Sequence, residues 1–264
     1  MTPDLISKIA AEVGTPFYLY SEQKLRQNFQ TFADAVKSLK KTTVCFAVKS
    51  NFNPTVLKIF ASMGAGADIV SGAELELALQ AGIPANKIVF SGVGKTRAEL
   101  TAAIAADIKQ INAESESEIR LIDEIALELG KTTAVGIRVN PDVDAHTHEK
   151  ITTGKKENKF GIDWNDAYRL FLSAEQFKGI SLHGIEVHVG SQILDLEPFR
   201  EAFVKTKRML AALKEKGVSI QTVDVGGGLG VVYKTGESAP SPADYIAVLQ
   251  DVLSGFDGEF VFEP

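Results

Sequence analysis

Val44-Cys45-Phe46-Ala47-Val48-Lys49-Ser50-Asn51 is an apolar run of strand length that ends in a lysine. Asn51-Phe52-Asn53-Pro54 breaks the run, and Pro54 suits the first turn of a helix, where its missing N–H costs nothing. Lys49 is therefore expected at the C-terminal tip of a strand that feeds a helix. Alternation puts Cys45, Ala47 and Lys49 on one strand face, with Phe46 and Val48 on the other. In parallel α/β proteins, chemistry gathers at such tips. A lysine partly enclosed by apolar groups there is expected to have a lowered pKa and to act as a Schiff-base amine.

The same beat continues on both sides. Strand-like runs occur at 43–48, 67–71, 87–91, 110–114, 134–140, 181–189, 222–225 and 259–263. Helical patterns separate them at 55–63, 73–81, 97–107, 116–129, 165–173, 198–216 and 242–253. A helix at 21–38, capped by Ser21, precedes the first strand, and 15–20 reads as a short strand set apart. Alternating strands and helices call for parallel pairing with right-handed crossovers. Eight units close into a (β/α)₈ barrel, with the 21–38 helix filling the gap left by the missing last helix; a doubly wound open sheet is the rival. The segment 141–160, rich in charge and histidine, sits where a lid over the barrel mouth belongs.

With 264 residues, 45% of them hydrophobic, the chain can build one large core. The net charge of −6 and the lack of a Lys/Arg block argue against a nucleic-acid partner. The single cysteine, Cys45, cannot form an internal disulfide, and no run reaches membrane-spanning length, so a cytoplasmic protein is expected.

Polar residues collect at the strand ends: Asp68 and Ser71, Asn112 and Glu114, Arg138 and Asn140, Glu186, His188 and Ser191. One such residue is ordinarily a buried hydrogen-bonding group, but with Lys49 five strands contribute together, which points to a site. Asp224-Val225-Gly226-Gly227-Gly228-Leu229-Gly230 ends the seventh strand, where barrels place their phosphate sites, and Gly226, Gly227 and Gly228 offer backbone N–H groups to an anion. Two decoys fall away. Gly94-Lys95-Thr96 lacks the P-loop glycine at Val89, and the glycine run lacks dinucleotide spacing because position 231 is Val231. His146 and His148 have no third ligand nearby, so no metal is expected. A reactive lysine plus a phosphate cradle suggests a phosphate-bearing aldehyde, with pyridoxal 5'-phosphate the leading candidate. His188 can stack on its ring, and Glu263 can partner its pyridine nitrogen.

These features resemble the fold-type III pyridoxal phosphate enzymes, and among them the diaminopimelate decarboxylase branch. The resemblance is carried by Phe46–Asn51, by Asp68-Ile69-Val70-Ser71-Gly72-Ala73-Glu74-Leu75, and by Arg138-Val139-Asn140-Pro141. It continues through the 153–161 segment, His188-Val189-Gly190-Ser191-Gln192, the triple glycine and Glu263-Pro264. It implies an alanine racemase-like barrel at 21–264, with Lys49, His188 and Glu263 catalytic. Lys49 would hold the cofactor covalently, with Asp68, Arg138 and Pro264 also lining its site. Ser191 and the three glycines would take the phosphate, and Glu263 would keep the pyridine nitrogen protonated. The implied reaction releases CO₂ from meso-2,6-diaminoheptanedioate to give L-lysine. Alternatives are an ornithine- or arginine-type decarboxylase, a racemase of the same barrel, a non-catalytic pyridoxal phosphate-binding relative and a cofactor-free Schiff-base aldolase. The family motif runs on as Glu-Pro-Gly-Arg and into a C-terminal β domain with a catalytic cysteine, neither of which these residues include. Residues 1–20 are expected to pair with that domain, and the full-length protein is expected to be a homodimer.

Overall fold

The computed structural model describes residues 2–143 and 160–264. Eight strands, β1 (Thr42–Ala47), β2 (Gly66–Ile69), β3 (Ile88–Phe90), β4 (Gln110–Ala113), β5 (Thr133–Arg138), β6 (Ile180–Glu186), β7 (Thr222–Asp224) and β8 (Glu259–Phe262), form a closed barrel. Every pairing is parallel, including β1 with β8, where Thr42 lies opposite Phe260 and Val44 opposite Phe262. The barrel expectation holds and the open sheet is excluded.

The outer ring follows from strong helix starts. Helices α3 (Pro54–Ser62), α4 (Gly72–Gln80), α5 (Arg97–Ala105), α6 (Glu116–Glu128), α7 (Trp164–Leu172), α8 (Glu197–Glu215) and α9 (Pro242–Leu253) come after α1 (Pro3–Val13) and α2 (Glu22–Ala35). Ser71, Thr96, Ser115 and Ser241 each accept a hydrogen bond from the backbone N–H three residues on, which fixes the starts of α4, α5, α6 and α9. Glu99 and Asp244 complete capping boxes. Helix α2, capped by Ser21 as expected, packs between α3 and α9 and fills the gap in the ring.

The N-terminus departs from expectation. Residues 15–20 form no strand; the C-terminal β domain expected to pair with them is not among these residues, and Tyr18 is largely exposed. Helix α1 was not foreseen; Thr2 caps it and Pro3 opens it, and none of its residues is buried. The strand expected at 181–189 ends at Glu186, since β5 stops at Arg138 and β7 at Asp224.

The main apolar core lies between the sheet and the helices. Inside the barrel, Cys45, Val89 and Val261 make a small buried apolar plug. Above it, Gln110 fills the space opened by two glycines. A Cβ on Gly136 would sit 2.5 Å from its Nε2, and one on Gly184 2.5 Å from its Oε1. The next layer up is polar and faces the C-terminal mouth. Strand register sets Arg138, Glu186 and Asp224 in one row across β5, β6 and β7.

Candidate active site at the C-terminal mouth of the barrel

Lys49 does not continue β1. The strand ends at Ala47, and Val48–Ser50 forms a short 3₁₀ turn held by Ser50 Oγ donating to the Ala47 carbonyl at 2.7 Å. Asn51 and Asn53 accept from nearby backbone N–H groups and steer the chain into α3. From this turn Lys49 Nζ reaches Asp68 Oδ2 at the end of β2, 2.5 Å away. The Asp68 carboxylate is fully buried, and its Oδ1 has no protein partner. The expected lowering of the Lys49 pKa is overturned. Burial does push it down, but the charge of Asp68 and the hydrogen bond to it outweigh burial and raise it. Lys49 is an ammonium in this pocket.

Arg138 crosses the mouth from β5. It donates to Glu114 Oε1 at 2.8 Å, lies 3.2 Å from Glu186 Oε2 and stacks its guanidinium over Phe160 at 5.1 Å. Glu114 also accepts from the Gly161 N–H at 2.8 Å. Arg138 is thus spoken for by protein carboxylates and serves as a wall of the pocket. Burial first, with the charges of Asp224, Glu114 and Asp68 adding to it, drives the Glu186 carboxyl upward against the Arg138 charge, to about 8.

His188 lies two residues past Glu186, on the same side. Its Nδ1 accepts from the Gly227 N–H at 3.3 Å, which leaves Nε2 as the protonated nitrogen of the neutral ring. Burial, then the Arg138 and Lys49 charges, press its pKa down to about 3, so the imidazole stays neutral and offers an uncharged face for stacking.

Glu263 follows β8 and is anchored by its N–H donating to the Gly226 carbonyl at 2.8 Å. Ser91 Oγ donates to its Oε1 at 3.3 Å, and a hydrogen bond joins its carboxyl group to that of Asp224. Asp224 in turn accepts from the Gly226 N–H and from Asn112 Nδ2, both at 3.0 Å. Glu186, His188 and Glu263 bring possible ligand atoms within 4.8 Å of one another. Glu186 already faces Arg138 and Glu263 is bonded to Asp224, so the cluster reads as the floor of an organic-ligand pocket.

The glycine loop is only partly the cradle that was expected. The Gly226 and Gly227 N–H groups are engaged by Asp224 and His188, while among the described residues no protein acceptor meets that of Gly228. What demands glycine here is crowding as well. A Cβ on Gly227 would collide with the Glu263 carbonyl oxygen, and one on Gly228, whose φ is +102°, with that of Gly190. The exposed Ser191, next to Gly190, lies against this loop, and Pro264 is exposed at the end of the chain.

The structure therefore brings Lys49, Asp68, Arg138, His188, Ser191, Gly226, Gly227, Gly228 and Glu263 to one mouth. His146, His148 and the 153–161 segment, apart from Phe160 and Gly161, lie outside the described residues. Lys95 is no phosphate ligand. Its buried Nζ donates to the Gly92 and Asn112 carbonyls and to Glu118, at 2.6, 2.7 and 2.8 Å. Ser91, Gln110 and Asp224 were not foreseen as members. The available signal was that Asp224 directly precedes the glycines, and that Gln110 shares the period-two face of Asn112. A cavity of about 920 Å³ lies at the opposite mouth, beside Lys109, His183 and Glu259.

A lysine ammonium beside a buried carboxylate, a neutral imidazole, a loop amide with no protein acceptor among the described residues and a buried carboxyl group across the pocket together fit pyridoxal 5'-phosphate. Residues 22–262 match the family described as "Pyridoxal-dependent decarboxylase, pyridoxal binding domain". The diaminopimelate decarboxylase of Aquifex aeolicus is 42% identical over 259 residues, 98% of this chain and 61% of that protein. The enzyme of the same name from Pseudomonas fluorescens is 44% identical over 260 residues, 98% of this chain and 62% of its own length. The crystal structure of Helicobacter pylori diaminopimelate decarboxylase complexed with L-lysine superposes with a TM-score of 0.94 at 39% identity, covering 98% of this chain and 65% of that one. The chain thus spans less than two thirds of these relatives. Its closed barrel, its lysine-bearing mouth and the match over 22–262 agree, and the chain belongs to the pyridoxal-dependent decarboxylases.

Proposed function

We propose that this chain forms the cofactor-holding barrel of an enzyme that decarboxylates meso-2,6-diaminoheptanedioate to L-lysine and CO₂. The observation that carries the reading is the Lys49–Asp68 pair, 2.5 Å apart, facing His188 and Glu263 across one mouth. The relatives that match over 98% of the chain bear the name of that activity. When bound, pyridoxal 5'-phosphate supplies an electron sink for the carbanion left by CO₂. The chain's residues do the rest. Lys49 anchors the aldehyde end, the neutral His188 ring covers one face, and Ser191 with the Gly228 amide receives the phosphate. Glu263 meets the ring nitrogen, and Arg138 with Glu114 and Glu186 closes the wall. The substrate is a small amino acid, and we place the protein in the cytoplasm as a homodimer when full length, with residues 1–20 against a C-terminal β domain.

The test is product formation by the full-length protein supplied with meso-diaminoheptanedioate, ornithine or arginine in turn. Lysine from the first substrate, with the other two poor, is the expected result. Preference for ornithine or arginine refutes the assignment.

A further inference from the structure

The hydrogen bonds around Glu263 have a direction. Gln110 Nε2 donates to Asn112 Oδ1 at 2.7 Å, which fixes the Asn112 amide so that its Nδ2 points at Ser91 Oγ, 3.1 Å away, and at Asp224 Oδ2, 3.0 Å away. Both Asp224 oxygens are then acceptors, Oδ1 from the Gly226 N–H and Oδ2 from Asn112. Ser91 receives from Asn112 and so passes its own proton to Glu263 Oε1. Asn112 Nδ2 thus links the two buried carboxyl groups, directly to Asp224 and through Ser91 to Glu263, and of two such groups set side by side one keeps a proton, Asp224 being the better served by donors.

We propose that Glu263 is a protonated carboxylic acid in the cofactor-free pocket, donating to the Asp224 carboxylate, and that Asp224 is a positioning residue that keeps this proton in place for the ring nitrogen. The assignment rests on the cofactor reading above. With pyridoxal 5'-phosphate bound, Glu263 would give its O–H proton to the pyridine nitrogen, keeping the electron pair and remaining as a carboxylate. The proton need not be drawn from solvent into a closed pocket.

The surroundings act in the same direction. Burial, then Asp224, Asp68 from β2 and Glu186 from β6, push the Glu263 carboxyl well above the carboxylate range, and only Lys49 opposes them appreciably. Cys45 from β1 and Tyr245 from α9 are buried and held neutral by the same acids, and Arg138 is engaged by Glu114 and Glu186. Asp224 rises only to about 6 because the Gly226 and Asn112 donors resist the shift.

The test needs no cofactor. Infrared spectra of residues 1–264 at pH 7 should contain the carbonyl stretch of a protonated carboxylic acid. Glu186→Gln removes the contribution of the other buried acid that keeps its proton at this pH, and in that background Glu263→Gln, whose amide can still donate to Asp224, should remove the band that remains. Asp224→Asn should also remove it, because the new amide donates and Glu263 becomes the acceptor. A band unchanged in Glu263→Gln overturns the proposal, and so does one lost there but retained in Asp224→Asn, which would make Asp224 a bystander. If Asp224→Asn does not fold, Asn112→Ala decides. Stripping a donor from Asp224 should let the pair hold its proton to higher pH, and an unmoved titration refutes the pairing. Failure of the cofactor reading would appear separately, as no lysine adduct beside an intact band.

Discussion

Replacing Asp68 by Asn should change when Lys49 becomes a nucleophile. The carboxylate accepts a 2.5 Å charge-assisted hydrogen bond from an ammonium whose side chain is 49% exposed. Such bonds contribute about 1.5–3 kcal/mol when well sheltered. With half of the lysine in water the lower end applies, about 1.4 kcal/mol or one pKa unit. Burial, which already pulls the Lys49 pKa down, then goes less opposed. Each unit raises the free-amine fraction about tenfold at a pH below the pKa. The assay is stopped-flow absorbance of pyridoxal phosphate capture across pH. Asp68→Asn should shift the rising limb about one unit towards acid and speed capture near neutrality. Because the amide replaces a fully buried carboxylate while the lysine stays hydrated, the barrel should tolerate the change. A profile that overlays the wild type, or capture slowed at every pH, refutes the reasoning.

Lys95→Ala, tempting as a control lysine, should instead destabilise the barrel by about 3–5 kcal/mol, since it leaves the Glu118 carboxylate unpaired; denaturant melts will show it, and exposed Lys58 is the better control. Gly227→Ala should cost about 1–3 kcal/mol and weaken cofactor retention, because the new methyl meets the Glu263 carbonyl; unchanged melting and binding would contradict this. Glu186 has a folded pKa of about 8 against an ordinary 4.5, so its contribution is fully present below pH 4.5 and is lost as pH rises towards 8. Thermal melts should therefore fall with pH in that window by up to about 1.4 kcal/mol per unit, and Glu186→Gln should flatten the slope.

The barrel was legible because strand and helix periods alternate eight times and because Ser, Thr and Asn mark the helix starts. Closure itself is a long-range property, and a strand at 15–20 likewise needs a partner outside its own segment, which a local β pattern cannot supply. Helix α1 was missed because no partner in the described chain buries its apolar side. Lys49, His188 and Glu263 were readable as polar residues just past the ends of β1, β6 and β8. The state of each was not. The Lys49 pKa turns on Asp68, nineteen positions away, and the Glu263 proton on Ser91, Asn112 and Asp224 from three other strands. Asp224 looked like the stem of a glycine turn, and only the register that aligns it with Glu186 reveals it as part of the floor.

The most direct measurement is borohydride reduction of the protein after addition of pyridoxal phosphate, followed by peptide mapping. The reduced adduct should lie on Lys49 alone and should vanish in Lys49→Ala while persisting in Lys58→Ala. An adduct on any other lysine, or none under saturating cofactor, would contradict the assignment of this mouth as the cofactor site.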